Sequence, residues 1–148
     1  MSAKENLNNV DDEISALKAK FSALSEDDIY LKRRALDYGI SILGKKWVYH
    51  ILGTLGHGPK RFNELARDYN ISPSALSDVL KFMEKNSLVS RKVIDSKPVS
   101  VEYSLTENGY RFILEVGEPL AKWVLECISE DSLEEHHLIY DSKIPVWR

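Results

Sequence analysis

The fold is decided by residues 59–105, which read PKRFNELARDYNISPSALSDVLKFMEKNSLVSRKVIDSKPVSVEYSL. Apolar side chains recur at helical spacing over residues 62–69 and again after Ser72-Pro73. A serine followed by proline is a typical helix start, because the hydroxyl caps free backbone N–H groups and proline has no N–H to leave unpaired. The sequence therefore predicts two short helices joined by a turn, the second helix running over about residues 73–86.

The remainder of this stretch changes to the two-residue period of a β-strand. Apolar and polar side chains alternate over residues 99–105, and residues 88–94 have a similar strand-like pattern. The Asp-Ser-Lys-Pro sequence between them is typical of a turn. We therefore predict a β-hairpin over about residues 88–105. Thr106 is expected to cap a long final helix, in which Pro119 predicts a kink or a break.

Three further helices are predicted upstream. The first carries apolar residues at alternating spacings of three and four, which is the seam of a helix that packs on a partner. These residues are Leu7, Val10, Ile14, Leu17, Phe21 and Leu24. Ser25 is expected to cap a second helix that runs to about Ile42. Gly44 precedes the third, GKKWVYHILGTLGHG, with Trp47 on its apolar side.

The composition is that of an ordinary globular domain. The chain has 148 residues, of which 43% are hydrophobic and 29% charged. No apolar run approaches the roughly 20 residues of a membrane helix, and the polar, acidic start does not resemble a secretory signal. Cys127 is the single cysteine, so an internal disulfide is excluded. These features predict a soluble cytoplasmic protein.

The net charge of −3 hides an uneven distribution along the chain. Residues 40–105 carry ten Lys or Arg and six Asp or Glu, whereas residues 1–39 carry six and eight, and residues 106–148 carry four and nine. A basic middle between acidic flanks indicates an anion-binding surface on the middle segment. Ordinary scatter of charge over the surface is the alternative.

From residue 45 the predicted order is helix, short helix, turn, helix, β-hairpin, helix, which is the order of a winged helix-turn-helix. The predicted fold class is therefore mainly α with a small β-hairpin (α+β), flanked by N- and C-terminal dimerisation helices. Four segments are predicted: a helical extension (1–39), the winged helix-turn-helix (40–106), a dimerisation helix (107–129) and an acidic, then apolar tail (130–148).

Three blocks of the sequence resemble the HxlR-type regulators, relatives of the MarR-type regulators. The blocks are GKKWVYHIL (44–52), GPKRFNELARDYNISPSALSDVLKFMEKNSLVSRKV (58–93) and VSVEYSLTENGYRFI (99–113). The resemblance implies a homodimeric, DNA-binding transcription regulator. A two-fold dimer of this kind would place its recognition helices about one helical turn, ~10 bp, apart on a pseudo-palindromic operator.

The predicted DNA contacts lie on the recognition helix, on the hairpin or "wing", and just before the first short helix. Helix side chains can reach base edges in the major groove, and basic wing residues can reach phosphates. The candidates are Lys60, Arg61, Ser72, Ser74, Ser77, Lys81, Arg91, Lys92 and Lys97. The resemblance implies DNA-facing or helix-opening roles for Arg61, Ser72, Pro73, Ser77, Arg91 and Lys92. Each cation could instead be an ordinary solvated charge.

The chain departs from the family pattern at several of these positions. Ser74 and Val79 stand where the recognition helix of the family often has basic residues, and Ser100 stands where the wing often has arginine. Asp78 adds a negative charge, which we expect to pair with a neighbouring lysine such as Lys81. We therefore expect DNA binding that is weaker or more salt-sensitive than in a typical member.

The final helix carries an apolar stripe that is too large for the core of one winged helix to cover. The predicted dimer interface comprises Leu17, Phe21, Phe112, Val116, Leu120, Trp123 and Cys127. Cys127 is interpreted as a small buried apolar residue, with a redox-active or dimer-bridging thiol as the alternative. Several family members sense oxidants through a cysteine just before the GKKW block, but this chain has Arg34 near that place.

No pattern of an enzyme is present. The sequence has no Gly-rich phosphate loop, no Ser-His-Asp signature and no Cys-His arrangement, so we predict no catalytic residue and no cofactor. His136 and His137 are adjacent and cannot face the same way on a helix, so we predict no metal site. The alternative function is a winged-helix protein-interaction module that does not read DNA. The small-molecule effector, if there is one, is unknown from the sequence.

Overall fold

The computed structural model describes residues 3–135 and the side chains of residues 9–133. The helices are α1 (Ala3–Ser22), α2 (Glu26–Leu43), α3 (Val48–Gly56), α4 (Phe62–Asp68), α5 (Pro73–Lys85), α6 (Glu107–Phe112), α7 (Glu118–Cys127) and α8 (Glu130–Glu135). The strands are β1 (Lys60–Arg61), β2 (Val89–Ile94) and β3 (Ser100–Leu105), and a π-helical segment, Ile113–Gly117, joins α6 to α7. The end of the predicted tail, with His136 and His137, lies outside the described residues.

The chain divides into two compact units after Gly44. The first unit contains α1 and α2, and every described side chain of α1 is exposed. The predicted cap of α2 is confirmed, since the Asp28 N–H donates to Ser25 Oγ at 3.2 Å. The predicted seam of α1 extends to Leu24, but α1 ends at Ser22, because the extended backbone of the cap residue (φ −70°, ψ 161°) requires the chain to leave the helix first.

The core of the second unit is formed by α3, α4, α5 and the strands. Its fully buried side chains are all apolar: Val48, Ile51, Leu52, Leu55, Leu65, Leu76, Leu80 and Met83. The predicted start of α5 is confirmed, since the Ala75 N–H donates to Ser72 Oγ at 3.3 Å and Pro73 occupies the first turn. One side of α5 is thereby fixed against the core, which leaves its opposite side facing solvent.

The predicted hairpin is confirmed, but the sheet has a third strand. The order is β1-β3-β2, and both pairings are antiparallel. The strand of Lys60 and Arg61 was not predicted, because two residues are too short to show a period and pair only through tertiary contact with Tyr103 and Glu102. Its consequence is that Lys60 and Arg61 belong to the same sheet as the wing.

The final helix is not continuous, as Pro119 predicted. The Gly109 N–H donates to Thr106 Oγ1 at 3.0 Å, which confirms the predicted cap. The α-helical pattern then changes to a π-helical segment just before Pro119, which lies in the first turn of α7. Gly117 in this segment packs against the Tyr49 ring so closely that a Cβ atom would clash with it.

The third helix begins later than predicted. Gly44 is the C-cap of α2, and α3 starts only after Trp47, whose φ of 76° lies in the left-handed region. The Trp47 ring contacts Tyr69, with the ring centroids 5.7 Å apart. Within residues 3–135, no helix is long and apolar enough to cross a membrane.

Candidate nucleic-acid interface

The solvent-facing side of α5 carries a row of exposed polar side chains. Ser74, Asp78, Lys81 and Lys85 are all exposed, and their spacing of four, three and four residues puts them on one helix face. Lys85 was not among the predicted contacts, although the same spacing identifies it. The row contains one carboxylate and two ammonium groups, so it has only a small excess of positive charge.

The structure corrects two expectations for α5. Val79 was expected on the apolar face of the helix, which is confirmed by its 7% exposure, but it was also counted as a missing basic contact to DNA, which was wrong. A basic residue is therefore not missing from the solvent-facing side at that position. Asp78 was expected to pair with Lys81, but no ion pair joins them among the ion pairs of the described side chains. The carboxylate of Asp78 therefore lies within the row without a direct ion pair to Lys81.

An open depression of about 500 Å³ joins α5 to the wing. It is lined by Phe62 of α4, by Ser77, Lys81 and Glu84 of α5, and by Arg91, Val101 and Tyr103 of the wing. Three predicted contacts, Ser77, Lys81 and Arg91, are thus brought together. Ser77 is only half exposed, so it lies deeper in this surface than Ser74.

The register of the wing separates its two neighbouring cations. Arg91 is opposite Tyr103, whereas Lys92 is opposite Glu102. Successive side chains of a strand point to opposite faces, so Arg91 lies on the face that lines the depression and Lys92 lies on the other face. Sequence reasoning treated the two as equivalent, because the register that fixes their faces cannot be read from one strand alone.

A row of charges crosses the face of the sheet that carries Lys92. Arg61 of β1 and Lys92 of β2 are both directly opposite Glu102 of β3. Cross-strand neighbours of opposite charge stabilise a sheet modestly. The two cations flank one carboxylate, so this face keeps a net positive charge that can attract a phosphate.

Two predicted contacts already have partners in the chain. Lys60 Nζ lies 3.7 Å from Asp68 Oδ2 of α4, so part of its charge is compensated. The Ser72 hydroxyl accepts the capping hydrogen bond at the start of α5, although its own proton can still be donated outward. Lys97 is exposed in the turn of the wing.

A basic residue that sequence reasoning missed lies beside α5. Lys45 Nζ is 4.6 Å from the centroid of the Phe82 ring, which is a cation–π geometry. Lys45 precedes α3, so its position beside α5 arises only from the tertiary fold. The pair of lysines in the GKKW block was the signal that could have drawn attention to it.

The predicted dimer residues are largely exposed in a single chain. Leu120 and Trp123 of α7 are 47% and 56% exposed, and Leu17 and Phe21 of α1 are similarly open. Phe112 and Val116 are half-buried. The expectation that Cys127 is buried was wrong for the single chain, since its side chain is exposed. It is the last residue of α7, a helix that has no buried residue within one chain. Among the described residues, no cluster suited to a metal ion occurs.

Comparison with known proteins identifies the family. Residues 42–132 match the family model described as HxlR-like helix-turn-helix. The chain belongs to the HxlR-like helix-turn-helix family. The HTH-type transcriptional regulator YvaP of Bacillus subtilis is 40% identical over 96 residues, which cover 64% of this chain and 88% of YvaP.

Solved structures agree with this family assignment. The reduced form of the transcriptional regulator YodB from B. subtilis matches with a TM-score of 0.58 at 34% identity, over 64% of this chain and 93% of that one. A MarR-family regulator from Enterococcus faecalis V583 matches with a TM-score of 0.60 at 30% identity, over 68% and 92%. The predicted winged-helix fold and the predicted class, a DNA-binding transcriptional regulator, are confirmed. Members of this family are regulators and not enzymes.

Proposed function

We propose that this HxlR-like regulator acts in the cytoplasm as a homodimer that binds a pseudo-palindromic operator through α5 and the wing. The observation that carries the proposal is the depression in which Ser77 and Lys81 of α5 meet Arg91 of the wing. A helix in the major groove is flanked by phosphates, so a cation at the junction of helix and wing is well positioned for a phosphate beside the groove.

The recognition helix and the wing contribute differently to binding. On α5, Lys81 and Lys85 are accompanied by Asp78 and Glu84, so the helix adds little net charge and its serines, Ser74 and Ser77, act mainly on base edges. The wing and β1 supply Arg61, Arg91, Lys92 and Lys97, which supply most of the electrostatic affinity for any duplex. Specificity therefore resides in α5 and salt-dependent affinity in the wing.

Lys60 and Ser72 have secondary roles in this scheme. Lys60 must leave or share its ion pair with Asp68 to contact a phosphate, so its contribution is smaller than that of Arg61. Ser72 keeps its capping hydrogen bond and donates its hydroxyl proton to a phosphate beside the start of α5. Both residues support the orientation of α5 more than its choice of sequence.

The proposed dimer interface uses the apolar residues that one chain leaves exposed. Leu120 and Trp123 of α7 form its centre, with Phe112, Val116 and Cys127 on the same helical segment and Leu17 and Phe21 from α1. Large exposed aromatic and aliphatic side chains are typical anchors of such interfaces. The two-fold symmetry of the dimer then places the two α5 helices on half-sites about one helical turn, ~10 bp, apart.

The test compares binding to a duplex selected from genomic DNA with binding to a random duplex of equal length, over a range of salt concentrations. Lys92→Ala should weaken both equally and lower the salt slope by about 1. Ser77→Ala should weaken the selected duplex more, by on the order of 1 kcal/mol. Asp78→Ala should strengthen both. Lys122→Ala, on α7, is the control and should change neither.

The competing function is a winged-helix module that binds protein instead of DNA. The balanced charges of α5 favour it. The same titration separates the two functions, since the module should bind no duplex even at low salt. If Lys92→Ala altered which sequence is preferred, or Ser77→Ala weakened all duplexes equally, the roles of helix and wing would be wrong.

A further inference from the structure

We infer that α1 pairs with α1 of a second copy in antiparallel orientation. The inference rests on the proposed homodimer and specifies one part of its interface, a helix that lies outside the matched residues 42–132. Within one chain, Val10, Ile14, Leu17 and Phe21 are 50%, 42%, 51% and 59% exposed. An isolated helix of this length is marginal in water unless its apolar face is covered, so the seam requires a partner.

The seam is symmetric about its own centre, which lies between Ser15 and Ala16. The seam residues alternate between the two apolar positions of a heptad, a and d. In an antiparallel coiled coil an a residue of one helix packs beside a d residue of the other. Centred on this point, Ile14 meets Leu17 of the second copy and Val10 meets Phe21 of the second copy. The four contacts that result are all apolar, and none of the four seam residues is left without a partner.

The charges beside the seam follow the same symmetry. Asp11 and Glu13 precede the centre, and Lys18 and Lys20 follow it. Two antiparallel helices in this register bring Asp11 next to Lys18 of the second copy and Glu13 next to Lys20 of the second copy. The two-fold axis repeats each pair, so four ion pairs flank the seam and none of them joins like charges.

Parallel pairing uses these charges less well. In a parallel coiled coil the flanking contact joins a residue to the one five positions further along the partner. Glu13 would then meet Lys18 of the second copy, but Asp11 would meet uncharged Asn6, and the position five residues after Lys20 lies beyond the end of α1. Parallel pairing therefore has half as many ion pairs, and charge complementarity favours the antiparallel arrangement.

Two charge-swapped variants of the full-length chain distinguish these arrangements. Glu13→Lys with Lys20→Glu exchanges the members of one antiparallel pair and preserves every attraction in that arrangement. Glu13→Lys with Lys18→Glu converts all four antiparallel pairs into like-charge pairs, yet preserves the parallel ones. Both variants keep the net charge. None of the three positions, 13, 18 and 20, has a charged neighbour three or four residues away on α1, so the intrahelical charge pairs of one chain are the same in both variants.

Self-association is measured by sedimentation equilibrium at low salt. The Glu13→Lys/Lys20→Glu variant should dimerise like the wild-type chain. The Glu13→Lys/Lys18→Glu variant should raise the dimer dissociation constant about tenfold or more, and this difference should shrink at high salt. The reverse ranking of the two variants would indicate parallel pairing, and equal dissociation constants for all three chains would mean that α1 does not pair with itself; either result overturns the inference.

A mixing experiment provides an independent check. Asp11→Lys/Glu13→Lys and Lys18→Glu/Lys20→Glu should each dimerise poorly alone, and equal amounts of the two should form a heterodimer with four attractive pairs. Failure to form the heterodimer would contradict the inference. None of these variants alters α5 or the wing, so self-association of α1 and duplex binding are tested separately. If the wild-type chain bound no duplex, the proposed function would be overturned, but the result for α1 would stand.

Discussion

The winged helix and the helices that flank it have similar apolar periodicity but opposite burial. In α3, α4 and α5 the apolar side chains on the inner face are buried within one chain, whereas α7 has no buried residue and α1 is exposed throughout its described length. The periodicity of a sequence thus predicts a helix and its apolar face, but it does not indicate whether that face is covered by the same chain or by another. The difference in burial makes this distinction testable.

The largest expected effect is on the core. Leu80→Ala removes a side chain that is 1% exposed and should lower the free energy of unfolding by about 3 kcal/mol, because the cavity it leaves has no solvent to fill it. Urea denaturation measures this loss, which should be the same at every protein concentration.

The matched substitution on a flanking helix is Leu120→Ala. Its side chain is 47% exposed, so at dilutions where the chain is monomeric the free energy of unfolding should change by less than about 1 kcal/mol. At higher concentrations the loss should grow, since dimerisation adds to the stability of the wild-type chain. If Leu120→Ala destabilised the monomer as much as Leu80→Ala does, α7 would pack within its own chain, contrary to the difference in burial between the two regions.

The elements of the winged helix could be predicted because their signals are local. Ser72-Pro73 marked the start of α5, and the alternation of residues 99–105 marked a strand, both of which the structure confirms. The errors arose where tertiary contact decides the outcome. The strand β1 exists only because it pairs with β3. Trp47 has a positive φ, a conformation that its residue type does not predict.

The residues of the candidate DNA-binding surface could be predicted, but their arrangement in space could not. The stripe of α5 followed from helical spacing, so Ser74 and Lys81 could be identified. The faces of Arg91 and Lys92 depend on which residues of β3 they oppose, and the compensation of Lys60 depends on Asp68 of another element. Neither is encoded in a short stretch of sequence.

The second-largest expected effect is at the junction between the core and the final helices. Gly109 packs against the carbonyl of Leu88 so closely that a Cβ atom would clash with backbone, and that Cβ atom would lie 3.1 Å from the Leu105 side chain. Gly109→Ala should therefore lower the free energy of unfolding by about 2 kcal/mol, as overpacking of a rigid site does. Thermal denaturation measures the loss; an unchanged midpoint would show that α6 can shift away from β2.

A smaller effect of the opposite sign is expected when a glycine of a flanking helix is replaced by alanine. Gly39 lies within α2, and no atom lies within 4 Å of the position its Cβ would occupy. Gly39→Ala should raise the free energy of unfolding of α2 by about 0.5–1 kcal/mol, because alanine restricts the unfolded chain and favours the helix. The helical signal in circular dichroism during urea titration reports it. A destabilisation would instead show that this side of α2 is covered, in the dimer or by the same chain.

The smallest expected effect is a dependence of core stability on pH. His50 of α3 is half-buried beside Trp47, with the ring centroids 6.0 Å apart, and desolvation by burial holds the pKa of its imidazole below the ordinary value of 6.5. The unfolded chain therefore takes up a proton at a higher pH than the folded chain. The stability that the neutral imidazole contributes is complete above pH 6.5 and is lost as the pH falls through the lowered pKa. Urea titrations of the wild-type chain and of His50→Gln, from neutral to mildly acidic pH, should show a steeper loss for the wild type. Parallel slopes would mean that solvent reaches this side chain as freely as it reaches those of the flanking helices, so that the contrast in burial does not extend to His50.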